Sequence, residues 1–268
     1  MKKRNFIIQE YINAYGLFKK IKPFLLITIF VFIFTIIIGL VFPQLFENQV
    51  LQIIQKMLQE LEGKGPIELI IYIFQNNLKA SFMGMLLGIF LGIFPLIAGL
   101  INGYLIGYVT NTAIHSEGIF VLWKLLPHGL FEFPAIIISL GIGLYLGNRF
   151  LERYFKIKSE IHRIAVICFS TLVIIPLAGF YYTWNLQLIN IQKIGFSSLS
   201  SAQLPLAIAI AIINLTIISG FIFILFTFIK DKILRKDLIS SIIFFALIIL
   251  PLLLIAAIIE GTLIGIMG

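Results

Sequence analysis

The sequence predicts an all-α, polytopic helical membrane protein, and three observations carry that prediction. Apolar residues make up 60% of the chain and charged residues 12%, and the mean hydropathy is +1.08, beyond what a soluble core requires. Runs such as FLLITIFVFIFTIIIGLVF and FFALIILPLLLIAAII are unbroken rather than alternating, so they fit helices and not the weak alternation of a β-barrel. Most of the 20 basic residues gather in three clusters, at Lys2–Lys22, Arg149–Arg163 and Lys230–Lys236, the pattern of loops retained on the cytoplasmic side. The formal net charge of +8 is thereby explained by topology and contact with anionic lipid, and nucleic acid is not expected as a partner. Cys168 is the only cysteine, which excludes an intrachain disulfide.

The elements follow in order. Residues 1–22, with Phe6, Ile7, Tyr11, Ile12, Tyr15 and Phe18 between basic ends, read as a cytoplasmic interfacial helix. Residues 23–268 then form a single transmembrane domain whose first crossing runs from Pro23 to Phe42. Within 47–62, Val50, Ile53, Ile54, Met57, Leu58 and Leu61 recur at helical spacing against Gln55, Lys56, Gln59 and Glu60. An amphipathic helix on the outer surface follows, either a membrane cover or a docking face for an extracytoplasmic envelope partner. From Phe82 to Thr110 the glycines Gly84, Gly88 and Gly92, then Gly99, Gly103 and Gly107, recur every four residues. Read as one long helix kinked at Pro95, this stretch offers a smooth face to a second helix or to a second copy in a homodimer. Three further crossings, at 164–182, 204–229 and 238–263, leave the C-terminus outside; Trp184 anchors an outer loop rich in Asn, Gln and Ser.

Counting crossings leaves residues 112–148 to cross twice or to dip in and return. Two crossings give seven in all; the alternative is five full transmembrane helices and a re-entrant hairpin. In LPHGLFEFPA, at 126–135, Pro127 and Gly129 oppose a continuous helix and favour the hairpin, with His128 and Glu132 satisfying the broken backbone.

Ionisable groups within apolar sequence are functional candidates because burying them is costly. Here they are Glu132, His128 and Glu260, with Glu117 and Lys124 nearby. With only His115, His128 and His162, and no HExxH, Walker, GxSxG or CxxC pattern, the residues give no metal site, no cofactor and no catalytic set.

Asn76-Asn77, Asn102-Gly103, Leu126-Pro127-His128-Gly129, Glu132, Pro134-Ala135, Gly143, Gly147 and the ending Ala256-Ala257-Ile258-Ile259-Glu260 together resemble the stage II sporulation protein M (SpoIIM) family over about residues 70–265. PHGxxExPA is the most specific piece. The resemblance implies a multi-pass cell-membrane scaffold that holds soluble envelope partners and is not itself the hydrolase. A membrane subunit of a transporter or exporter is the alternative reading of the buried ionisable groups in broken helices, and an intramembrane hydrolase is a third.

Overall fold

The computed structural model describes the backbone of residues 6–192 and 204–267, with side chains at 12, 14–120, 129–179 and 212–264. Among these residues it is almost entirely helical, with short turns between the helices and no strand. Nine α-helices follow the chain: α1 Phe6–Val41, α2 Glu47–Leu61, α3 Pro66–Leu86, α4 Ile93–Glu117, α5 Leu122–Tyr154, α6 Glu160–Gln192, α7 Leu204–Lys230, α8 Lys232–Phe244 and α9 Leu250–Met267. A π-helical turn, Phe245–Ile249, joins the last two into one leg. Six of the helical legs are long and apolar enough to cross a membrane: 14–41, 93–117, 129–154, 160–179, 212–230 and 232–264. This is an all-α polytopic membrane protein.

Helix α1 differs from the expected division at residue 23. It is one 36-residue helix that passes through Pro23, so the basic N-terminal stretch and the first crossing are one continuous element. Ala14, Leu17 and Ile21 are buried in the main core, which ties the early turns to the bundle. The amphipathic α2 forms as its periodicity predicts. Val50 is its one buried residue, packed with Ile54 against Tyr104 and Tyr108.

The glycine-striped stretch is a correction to the sequence reading, because it is two helices and not one. A 3-10 turn at Leu87–Ile89 ends α3, and Leu91 and Gly92 take left-handed φ values of 58° and 72°, a conformation glycine adopts without cost. Gly92 caps α4, and Pro95 falls in the first turn, where its missing N–H costs nothing. It therefore starts a helix instead of kinking one.

A second correction concerns LPHGLFEFPA. The backbone of α5 is helical from Leu122 to Tyr154, so no re-entrant turn forms at Pro127–Gly129. The reversal lies earlier, where Gly118 ends α4 at φ 81° and a 3-10 turn at Ile119–Val121 leads into α5. Pro127 sits in the second turn of α5, where its cost is one backbone hydrogen bond close to a helix end. Residues 112–148 are thus the end of α4, the turn and most of α5, an arrangement that agrees with the alternative of seven crossings.

Contacts along the legs fix their directions. Gly99, Gly103 and Gly107 meet Val31, Thr35 and Gly39 in turn, so α4 runs parallel to α1. Gly92 meets Gly147, and Pro95 meets Gly143, so α5 runs antiparallel to α4. Helix α3 runs with α5, since Gly84 meets Leu140 and Gly88 meets Gly143, and against α9, since Ile70 meets Gly261 and Phe82 meets Phe245 at 5.3 Å between ring centroids. Together with α3, which is shorter on apolar residues, seven legs stand side by side. The core they enclose centres on α5, whose Leu140, Ile142, Leu144, Leu146 and Phe150 are fully buried.

Candidate functional site

Two polar regions lie at opposite ends of the bundle. At the basic end, α5, α8 and α1 meet at Asp237. Its carboxylate accepts from Arg149 Nε at 2.9 Å and lies 3.9 Å from Lys20 Nζ, while Arg149 also pairs with Glu152. Arg153 Nε donates to Asp231 at 2.8 Å. Asp231 in turn caps α8, accepting from the backbone N–H groups of Ile233 and Leu234. The Arg153 hydrogen bond, with those two amides, holds the Asp231 carboxyl below its ordinary range. The buried Arg163 joins α6 to α5, donating to Asn148 Oδ1 at 2.7 Å and to the carbonyls of Ile157 and Lys158 at 2.6 and 2.8 Å.

These groups were missed as a site by sequence reasoning, which read Arg149 and Arg163 only as topology markers. The signal available was Asp237, the one acid within LRKDLIS, at a helical position that places it on the buried face. Asp237 and Arg163 are each buried, and a buried charge needs a partner to offset its desolvation.

At the far end, Glu132 on α5 and Glu260 on α9 lie near enough for their carboxylates to interact, and both are half-buried. The structure thus sets two of the three expected residues on packed helices, α5 and α9; the side chains of Pro127 and His128 lie outside the described residues, as do those of Lys124 and Trp184 and the serine-rich loop. Gly129 is buried against the Phe133 ring and Pro134 is exposed. Asn102 is not part of this pair: its Nδ2 donates to Ala98 O at 2.8 Å along its own helix. On α3, Asn77 is half-buried and Asn76 is exposed. Among the described residues, no three His, Cys, Asp or Glu side chains converge in a way that could hold a metal ion.

The glycines form the third feature. A Cβ at Gly88 would overlap the backbone of Gly143, one at Gly103 the Thr35 side chain, and one at Gly107 the backbone of Ile36. The upper stripe is filled by α1 and the lower by α5, so both are spent on packing inside one chain. Tyr104 stitches the same seam, its hydroxyl accepting from Phe46 N–H and lying 2.8 Å from the Pro43 carbonyl.

Fold and polar ends together define a polytopic helical membrane protein with a glycine-packed centre. The family profile of stage II sporulation protein M matches residues 28–184, which takes in the latter part of α1, all of α2 to α5 and most of α6, and the chain belongs to that family. No curated protein and no solved structure matches it.

Proposed function

We propose that the protein is a non-catalytic scaffold of the cell membrane that recruits or gates extracytoplasmic envelope partners. The observation that carries this reading is α2. It is held to the bundle through Val50 and Ile54, while Leu51, Ile53, Met57 and Leu58 stay exposed at the end of α1 remote from Lys20 and Asp237. The positive-inside rule puts the basic end in the cytoplasm, which sets α2 on the outer surface, where a soluble partner can reach an amphipathic face. The test is tagged purification from the native membrane, comparing the protein with a variant in which Leu51, Ile53, Met57 and Leu58 are all changed to Ser. The scaffold reading expects defined partners with the first and their loss with the second, at equal amounts of folded protein. Purification without any stoichiometric companion contradicts it.

A transport role is the second reading, favoured by two half-buried carboxyl groups, Glu132 and Glu260, on the packed helices α5 and α9. Paired carboxylates inside a bilayer are a means of carrying protons or cations. Proteoliposomes that show no proton or cation flux beyond the Glu132→Gln variant argue against it.

A further inference from the structure

Helix α3 is embedded on one side and carries a polar band on the other. Leu69, Ile73, Ser81, Gly84 and Met85 are buried against α5 and α9, whereas Gln75, Asn76, Lys79 and Ala80 are exposed between the exposed apolar Ile71 and Met83. The depth of those exposed groups is set by two contacts already described. Ile70 is level with Gly261 and Phe82 with Phe245, so residues 75–79 lie alongside the apolar stretch of the 232–264 span. Two amides and an ammonium exposed at that depth are costly against lipid tails and become favourable when another helix satisfies them.

We propose that this face of α3 is the interface of a homodimer, in which α3 packs against α3 of a second copy about an axis along the membrane normal. Such a contact places the same residues opposite one another, and the chemistry of this face is complementary to itself. Asn and Gln amides each donate and accept, so Asn76 meets its counterpart as both donor and acceptor. Helical side chains lean towards the N-terminus, which carries the Lys79 ammonium up to the level of Gln75 and Asn76. There it donates to an amide oxygen of the other copy, away from the second ammonium. Ala80, one turn from Asn76 on the same face, lets the backbones approach. The glycine stripes are filled within the chain, so this surface is distinct from the glycine face that the sequence suggested for self-association. The dimer does not depend on the scaffold reading.

The experiment uses the full chain with Cys168→Ser, in lipid nanodiscs and in mild detergent. The expected species contains two 30.3 kDa chains. Asn76→Cys forms an intermolecular disulfide on mild oxidation, whereas Phe30→Cys, on the exposed side of α1, does not. Changing Gln75, Asn76 and Lys79 together to Leu leaves helicity intact and weakens the dimer about tenfold or more. A monomeric parent protein overturns the proposal. So does a dimer that links through Phe30→Cys and not through Asn76→Cys, or one whose stability the triple Leu variant leaves unchanged. Should the triple variant not fold, the two cysteine variants decide the matter alone.

Discussion

The bundle has a tightly packed half and a loosely held half, and they are built on different physics. Among the described residues, 61% of the most apolar stretch of 129–154 is buried, compared with 17% in 160–179 and 6% in 212–230. The packed half, made of α1, α3, α4, α5 and α9, rests on backbone-to-backbone approach at glycines, which lipid tails cannot imitate. The loose half is held mainly at the basic end. Phe221 lies 3.8 Å from Phe90 between ring centroids and Phe228 is stacked on Phe150, while Arg163 and Asp231 supply the polar ties. Elsewhere among the described residues of α6 and α7, apolar side chains such as Leu172, Leu177, Leu215 and Ile222 are exposed, as lipid-facing residues are. Close packing specifies one part of the chain, and solubility in a bilayer is all that the other part requires.

The largest effect expected from this contrast is at Gly88. Gly88→Leu drives a side chain into the Gly143 backbone and abolishes a monodisperse folded species on gel filtration, whereas Gly220→Leu in α7, which has nothing within 4 Å, runs as the parent. Next comes the basic end. Asp237→Ala leaves Arg149 without its buried partner and costs on the order of 3 kcal/mol, visible as a lowered thermal midpoint; a midpoint equal to the parent's removes Asp237 from its place as hub. Phe221→Ala acts on one side only. It speeds hydrogen exchange along α7 and leaves α4 and α5 unchanged, and uniform loosening of all helices denies the division into halves.

The smallest effect is electrostatic. Because Asp231 has a lowered folded-state pKa, its stabilisation is complete above the unfolded carboxylate value, about 4, and is lost as pH falls through the lower folded value. Asp231→Asn therefore lowers stability slightly at neutral pH, where the carboxylate is ionised and paired, and converges on the parent as pH falls below about 4, so the acid limb is flatter. An acid limb as steep as the parent's assigns that limb to other carboxylates.

Legibility in the sequence divides along similar lines. The apolar runs and the periodicity of 47–62 are properties of single helices, and they gave the spans and α2 directly. Breaks are harder, because proline and glycine act by position. Pro127-His128-Gly129 looks like a break, yet stands where a helix loses one hydrogen bond; Gly92 looks like one more member of a stripe, yet caps the start of α4. The sharper stop signal was Gly118 after Ser116-Glu117, a glycine directly behind a helical run. Of the candidate residues, Glu132 and Glu260 lie on helices α5 and α9 that pack together, which no spacing could show because 128 residues separate them. The Asp237 hub depends on tertiary contacts from α1 and α5, and the charge pattern alone concealed it among lysines and arginines.

The central structural claim is that the family motif lies within a continuous membrane-crossing α5, with the chain reversing at Gly118–Val121. Thiol labelling from each side of sealed vesicles tests it in a Cys168→Ser background carrying single cysteines at Phe120, Leu130 or Lys158. Phe120 and Leu130 are both exposed, at 84% and 69%, so labelling reports surroundings and not burial. The account predicts that Phe120→Cys reacts only from the side opposite Lys158→Cys and that Leu130→Cys, facing lipid, reacts from neither. Labelling of Phe120→Cys and Lys158→Cys from the same side, or ready aqueous labelling of Leu130→Cys, would contradict it.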